Sequence, residues 1–383
     1  MFPGIIPDFP LNRWMRLRCC AAFLAGIVAF PAVVESASVQ EPSIDRLLNK
    51  LPPPEKLARQ SVQEGLERGD PANNDKMLVE IADAAKRDDS SRGLSLSRKL
   101  AEKYPNSPGA HWARGIFALR LRYYREASSA FQKALAIDPK MELAYWGLAV
   151  VEGVQGHYAS ATAHLRRVVK LNPNSAPAYY ALSDCSLKVG RKQDSVEYAR
   201  KATGLAPSEA AYWLQLARAE KAMGHDDKML AAITRAAEVS PDTAGLHAIV
   251  GFSYISLNRI PQAIAPLQRA VRLLPNDYLI HSQLGYCLTT TGSVDAGINH
   301  LQKAARLNSK YGPTWESLGL AYQKKGRHKD AVSALEKATR LMPGARQPWQ
   351  NLAVEYQALG RPADAQRAAA RAGKLSQPSK KRS

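Results

Sequence analysis

The sequence predicts an all-α solenoid, an array of stacked helix pairs, because one pattern recurs every 34 residues from residue 108 onward. Mostly small residues recur twelve and five positions before each copy of a Pro slot, and a fixed period of this kind is typical of solenoids. We therefore expect one elongated domain instead of the two or three globular domains that the length alone suggests. The Pro slot contains Pro139, Pro173, Pro207, Pro241, Pro275, Ser309 and Pro343.

Each repeat is predicted to be a helix, a tight turn and a second helix. In residues 312–345, Trp315 and Leu318 follow helical spacing on one apolar face. Gly326 breaks the first helix, and Pro343 ends the second because Pro lacks an amide proton and clashes with the preceding turn. One such pair cannot bury its apolar face alone, so neighbouring pairs must stack on each other.

The same positions recur in every repeat. A small residue in each first helix is expected to let the paired helix approach closely. The aromatic or His column reads His111, Tyr145, Tyr179, Trp213, His247, His281, Trp315 and Trp349. The small column reads Gly115, Ala149, Ser183, Ala217, Gly251, Gly285, Gly319 and Ala353, and the turn Gly recurs as Gly156, Gly190, Gly224, Gly292, Gly326 and Gly360.

These columns resemble the tetratricopeptide repeat (TPR): Trp–x2–Leu–Gly–x2–Tyr, then Ala, an aromatic or Leu, Ala, and Pro. Eight clear repeats span residues 108–379 and one divergent repeat spans 74–107, with departures at Arg114, Met229 and Asn258. The resemblance implies a right-handed superhelix of antiparallel helix pairs. It also implies that the first helices line a concave groove, and that the protein binds peptides or proteins without catalysis.

The N-terminus is predicted to be a signal peptide, residues 1–37. Arg13, Arg16 and Arg18 precede an apolar run over 19–34, which is short for a bilayer span and suited to a secretory segment. Met15 is an alternative start. We expect a protein exported to the bacterial envelope, periplasmic or secreted. An uncleaved segment that anchors it to the inner membrane is the alternative.

The remaining boundaries follow from composition. Residues 38–73 are predicted to be a linker and an amphipathic helix that caps the first repeat. Residues 74–379 form the TPR array, and 380–383 form a basic tail. Cys185 and Cys287 lie in equivalent slots three repeats apart, too far for a disulfide, and are expected to be buried structural thiols.

The net charge of +19 lies mostly in the clear repeats, because residues 1–107 contain fifteen Lys or Arg against fourteen Asp or Glu. Second helices place a basic residue at one slot, and in the last four repeats another follows three positions later on the same face. This basic ridge is either a solvated face or a track for an anionic partner. Its predicted residues are Arg269, Arg272, Lys303, Arg306, Lys337, Arg340, Arg371 and Lys374.

The face that the resemblance points into the groove carries aromatic residues at one slot of three consecutive repeats. They are expected either to anchor an extended peptide or to pack between repeats. The chaperone-type carboxylate clamp of this family needs Lys and Asn at these slots, which are aromatic here. The candidate groove residues are Trp112, Ile116, Trp146, Val150, Tyr180, Phe252 and Tyr286.

Nothing in the sequence points to catalysis. It has no phosphate-binding Gly loop, no His-Glu-x-x-His and no Cys pairs at zinc spacing, so we expect no enzyme, no cofactor and no metal. The expected partner is a protein or peptide. The alternative is a targeting or regulatory module that docks on an anionic surface or acidic partner through the basic ridge. Nucleic acid and small-molecule substrates are not expected.

Overall fold

The computed structural model describes residues 70–72 and 75–375, and within them it contains eighteen α-helices and no strand. The predicted signal peptide (1–37), the linker and capping helix up to residue 69, and the basic tail (380–383) lie outside the described residues. The first helices are α1 (Lys76–Lys86), α3 (Pro108–Arg120), α5 (Glu142–Val154), α7 (Ala176–Lys188), α9 (Ala210–Ala222), α11 (Ala244–Ser256), α13 (Tyr278–Thr290), α15 (Gly312–Lys324) and α17 (Arg346–Ala358). The second helices are α2 (Ser90–Lys103), α4 (Tyr124–Ile137), α6 (Tyr158–Leu171), α8 (Lys192–Leu205), α10 (Asp226–Val239), α12 (Ile260–Leu273), α14 (Val294–Leu307), α16 (His328–Leu341) and α18 (Pro362–Lys374).

The predicted α-solenoid of helix pairs is confirmed, and the described helices divide into two compact units. The N-terminal unit extends to Ala232 and the C-terminal unit begins at Ile233, so the division falls inside α10. In the N-terminal unit, each helix from α1 to α9 packs against its neighbours in the chain, and in the C-terminal unit the helices from α11 to α18 do the same. A first helix and its partner are joined by three residues, which turn the chain back on itself.

The turn of each pair depends on one residue with a left-handed backbone. In the described residues this slot recurs nine times, with φ between 56° and 99°. Gly adopts this conformation freely, whereas other residues are strained there by their Cβ. Asp88, Arg122 and Asn258 adopt it as well. Because Asp88 is in register with the rest, the divergent first repeat has the same turn as the clear ones.

The small column lets each second helix approach its first helix, as predicted. A Cβ built on Gly319 would lie 2.5 Å from Cγ of Leu335, a separation that real Cβ atoms do not show. In the N-terminal unit, the fully buried ring of Phe131 lies against Gly115 of this column and against Gly147 of the next first helix. One buried side chain of a second helix therefore fills the space that small residues leave in the flanking first helices.

Most residues of the aromatic or His column make the same hydrogen bond, which holds a first helix to the link before it. In seven repeats a polar ring atom lies 2.8–3.4 Å from the carbonyl oxygen of the residue six positions earlier, in the Pro slot. His, Tyr and Trp are interchangeable here because each carries a ring N–H or O–H on an apolar body. The seven residues are His111, Tyr145, Trp213, His247, His281, Trp315 and Trp349.

Arg114, which departs from the repeat pattern, has its positive charge neutralised by the carboxylate of Glu126. Arg114 Nε donates to Glu126 Oε1 at 2.8 Å, and Arg98 of the preceding repeat donates to both oxygens of Glu126 at 2.9 and 2.5 Å. The hydrogen bond from Arg98 and the two positive charges lower the pKa of Glu126 to about 2. This triad ties α2 to the first clear repeat at a position where other repeats have an apolar residue.

Candidate functional site

The first helices form the inner face of each unit. Successive first helices contact each other: α3 with α5 and α7 with α9 in the N-terminal unit, and α11, α13, α15 and α17 in series in the C-terminal unit. Among the described helices, no two second helices have comparable contacts. The first helices therefore lie closer together, on the inside of the local curvature, and the second helices form the outer face.

The predicted groove residues of the N-terminal unit differ in burial. Trp112 is only 4% exposed, and it lies with Ile116 and Val150 in one core cluster. Trp146 and Tyr180 are partly exposed, and the Tyr180 ring lies 5.4 Å from the ring of Tyr212 in the next first helix. Any aromatic surface that this slot offers to a partner therefore comes from Trp146 and Tyr180.

An ion pair that crosses two repeats lies beside these rings, and the sequence-based prediction missed it. Nη1 of Arg218 is 3.1 Å from Asp184 Oδ1 and 2.9 Å from Gln215 Oε1. Gln215 in turn donates to Ser183 Oγ at 3.0 Å, and Ser183 bonds to Ser195 at 2.8 Å. The signal was present in the sequence, because Asp184 and Arg218 are opposite charges that lie one 34-residue period apart at a groove slot.

The inner face of the C-terminal unit is mostly uncharged. Phe252 is buried and Tyr286 is partly exposed, while Val354 in the same slot of α17 is 57% exposed. Glu316 on α15 is partly buried and has no hydrogen bond or ion pair with any described residue. Burial raises the pKa of the Glu316 carboxyl, since no positive charge offsets the desolvation.

The two predicted slots of the basic ridge behave differently. At the first slot, Lys337 Nζ lies 4.1 Å from the centroid of the Trp315 ring, and Arg269 reaches the carbonyl oxygen of Pro241 at 3.4 Å. Lys201 of the N-terminal unit lies over Tyr179 in the same way, at 5.2 Å. These three first-slot cations therefore stabilise the fold by packing on the ring column or its link.

The second-slot cations are free. Arg272, Arg306, Arg340 and Lys374 are exposed, and within the described part of the chain none has a hydrogen bond, ion pair or ring contact through its side chain. Residues 233–375 contain 18 Lys or Arg against 9 Asp or Glu, a net charge of +9. The unit thus carries an excess of positive charge that its own acids do not neutralise.

The described residues contain few groups suited to chemistry. Cys185 and Cys287 are free and buried as expected, and burial raises the pKa of each thiol to about 12. Both are therefore protonated near neutral pH and are poor nucleophiles. No cluster of three or more His, Cys, Asp or Glu side chains in the described ranges could hold a metal ion. None of the described helices combines the length and apolar character that a bilayer span requires.

Comparison with known proteins identifies the repeat. Models of the tetratricopeptide repeat match residues 147–210, 108–141 and 312–344. No curated protein is detectably similar in sequence to this chain.

Among solved structures, MamA shares 23% identity with a TM-score of 0.41, covering 43% of this chain and 91% of MamA. YrrB, described as a TPR protein with an unusual peptide-binding site, shares 20% with a TM-score of 0.43, covering 48% and 95%. The Cut9–Hcn1 hetero-tetramer of APC/C shares 20% with a TM-score of 0.40, covering 76% and 61%. The matching models, the 34-residue period and the helix pairs show that the chain contains tetratricopeptide repeats, which are typical of protein–protein interaction scaffolds.

Proposed function

We propose that the inner face of the N-terminal unit binds an extended peptide segment of a partner protein. The observation that carries this proposal is the pair of partly exposed rings, Trp146 and Tyr180, at one slot of consecutive repeats. Rigid aromatic side chains on a concave face are frequent energetic anchors in interfaces. Helix packing sets one repeat step at about 10 Å, which matches about three residues of extended chain at roughly 3.3 Å each.

The adjacent ion pair supports a polar contact with the same peptide. The contacts of Arg218 with Asp184 and Gln215 use only Nη1, so its other N–H groups remain as donors. Asp184 holds the guanidinium in place, which reduces the entropy lost when a ligand binds. A peptide fits this arrangement if it carries an apolar residue and, about one repeat step of 10 Å away, a carboxylate or backbone carbonyl. The guanidinium of Arg218 can bind a carboxylate in a bidentate manner.

A peptide selected from a random display library against the N-terminal unit's face, within the whole protein, provides the test. We expect Trp146→Ala and Tyr180→Ala each to weaken its binding by roughly ten- to thirtyfold, about 1.4–2 kcal/mol, without loss of helix. Tyr123→Ala is the matched control, because this ring is 52% exposed but lies in the turn between α3 and α4. Equal losses for all three variants would contradict an inner-face site.

We also propose that the protein is exported. The three Arg residues before the apolar run 19–34 support this proposal. N-terminal sequencing of the mature protein should begin near Ala37 or Val39. A cytoplasmic product that retains Met15 would overturn it, and a membrane-bound product with an intact N-terminus would favour the uncleaved anchor.

Docking on an anionic surface or acidic partner through the basic ridge is a second candidate function. The observation that favours it is the set of unpartnered second-slot cations Arg272, Arg306, Arg340 and Lys374. Binding through this ridge should weaken steeply as salt is added, because exposed charges are screened within about 8–10 Å at physiological salt. Peptide binding at Trp146 and Tyr180 should change little under the same conditions.

A further inference from the structure

The free cations of the C-terminal unit lie at a constant place in the fold, near the ends of successive second helices. Arg272, Arg306 and Arg340 are each the second-last residue of their helix, α12, α14 and α16. Consecutive repeats are separated by about 10 Å, given the usual distances between packed helices. The three guanidinium groups therefore form a regularly spaced row along the outer face of this unit.

An exposed Leu follows each of these Arg residues. Leu273, Leu307 and Leu341 end their helices and are 37–40% exposed. The N-terminal unit offers Ile137, Leu171 and Leu205 at the same position, at 38–40% exposure, but Ala136 and Gly204 replace two of the preceding cations. Glu238 takes the cation position in α10, and a cation followed by an exposed Leu then recurs in three consecutive repeats of the C-terminal unit. We name its six residues, Arg272, Leu273, Arg306, Leu307, Arg340 and Leu341, the Arg-Leu edge.

We propose that the Arg-Leu edge docks on the surface of a bilayer that contains anionic phospholipids. This inference rests on the second candidate function, and it names the partner of the ridge. The guanidinium groups would bind lipid phosphates, and the Leu side chains would enter the boundary between headgroups and acyl chains. Exposed apolar residues next to cations are the combination that holds a protein in the plane of a membrane interface.

The pattern suits lipid better than an acidic protein. Lipid headgroups diffuse laterally, so each cation of a regularly spaced row can bind a phosphate. The lipid needs no acidic groups at a fixed, matching spacing. A partner protein would instead need carboxylates at one-repeat spacing, and charge contacts alone would leave the exposed Leu side chains unused. Several acids of the same unit, Asp295, Asp330 and Asp364, already pair with cations other than those of the edge.

Co-sedimentation of the whole protein with phosphatidylcholine vesicles, with and without phosphatidylglycerol, tests the proposal. We expect binding only to the vesicles that contain phosphatidylglycerol. The combined variant Arg272→Gln, Arg306→Gln and Arg340→Gln should reduce the partition coefficient about fivefold per cation, on the order of a hundredfold in total. Equal binding to both kinds of vesicle, or binding to neither, would overturn the proposal.

A control with the same loss of charge separates the edge from the diffuse positive charge of the protein. Lys133, Arg167 and Lys192 lie on second helices of the N-terminal unit, and all three are exposed without a side-chain partner among the described residues. Replacing these three with Gln should reduce vesicle binding far less than the edge variant does. If both triple variants lose binding equally, the edge is not the docking site.

The role of the Leu residues distinguishes a bilayer from other anions. Leu307→Ala with Leu341→Ala should weaken binding to phosphatidylglycerol vesicles while leaving binding to soluble polyglutamate unchanged, with circular dichroism to confirm that the helices remain. A protein that binds polyglutamate but not vesicles would show that the edge takes acidic polypeptides, which contradicts a membrane partner. Peptide binding by Trp146 and Tyr180 should persist in all edge variants, so the two functions can fail separately.

Discussion

Replacing Glu126 with Gln tests how the divergent first repeat is held to the array. Glu126 accepts hydrogen bonds from Arg98 and Arg114, and its pKa falls from an ordinary value of 4.5 to about 2. At about 1.4 kcal/mol per pKa unit, this shift corresponds to at most about 3.5 kcal/mol. Since the Arg98 side chain is 44% exposed, solvent screening reduces the effect. We expect Glu126→Gln to lower the free energy of unfolding by about 1–2 kcal/mol near pH 7.

The effect depends on pH with a definite sign. The folded pKa of Glu126 lies below its unfolded value, so the stabilisation is fully present above about pH 4.5 and is lost as the pH falls toward about 2. Urea unfolding of both proteins, followed by circular dichroism, should show curves that differ near neutral pH and converge in strong acid. Hydrogen exchange near neutral pH should report the loss in α1 and α2, because repeats respond locally in a solenoid.

The matched control is Glu238→Gln, which removes a carboxylate from an exposed ion pair with Arg235. Both side chains of that pair are more than half exposed, so we expect a loss below about 0.5 kcal/mol. A loss for Glu126→Gln that remains constant down to about pH 2 would refute the reasoning. It would show that the substitution acts through packing and not through the charge of the carboxylate.

Three further outcomes follow from the fold. Arg122→Gly should raise the free energy of unfolding by about 1 kcal/mol in thermal or urea unfolding, because φ of 64° strains a residue with a Cβ. Burial raises the folded pKa of Glu316, so the wild type loses stability as the pH rises through that folded pKa. Glu316→Gln should therefore be more stable than the wild type near pH 7. In urea unfolding at different pH values, the difference should vanish below about pH 4.5. Leu318→Ala should lower the free energy of unfolding by about 2–5 kcal/mol, because Leu318 is fully buried. Hydrogen exchange should show the C-terminal helices losing protection first, and a uniform loss along the chain would contradict a quasi-linear array.

The ring column illustrates how much of the fold could be predicted from the sequence. The 34-residue spacing identified the column and its buried face, but not the hydrogen bond from each ring to the link. Periodicity fixes the helix face on which a residue lies and leaves the direction of its side-chain atoms open. A signal for the bond was available, since His247, Trp315 and five other donors all stand six residues after the Pro slot.

The groove slot shows where the repeat pattern stopped being informative. Trp112, Trp146 and Tyr180 occupy equivalent positions, yet Trp112 is buried and the other two are partly exposed. Trp112 belongs to a cluster that includes Ile81 of α1 and Leu148 of α5, so its burial depends on the particular neighbours that surround it. The period of the sequence specifies the position of a residue within its repeat. The side chains of adjacent repeats decide how much of that residue is exposed to solvent.

The basic ridge required the structure for a similar reason. In the sequence, first-slot and second-slot cations look alike, three residues apart on one helix face. The structure separates them because Lys337 packs on the Trp315 ring whereas Arg340 contacts no partner among the described side chains. The identity of the neighbouring residue, and not the charge itself, decides which cation is available to a ligand.

The closer spacing of the first helices gives the C-terminal unit an unequal response to bending. Contacts between successive first helices resist changes in their separation, whereas the second helices have no comparable contacts with each other. Bending therefore changes the spacing at the outer surface more than at the inner one. If a molecule bound on the inner face changes the curvature of this unit, we expect the separation of Arg306 and Arg340, on α14 and α16, to change with it.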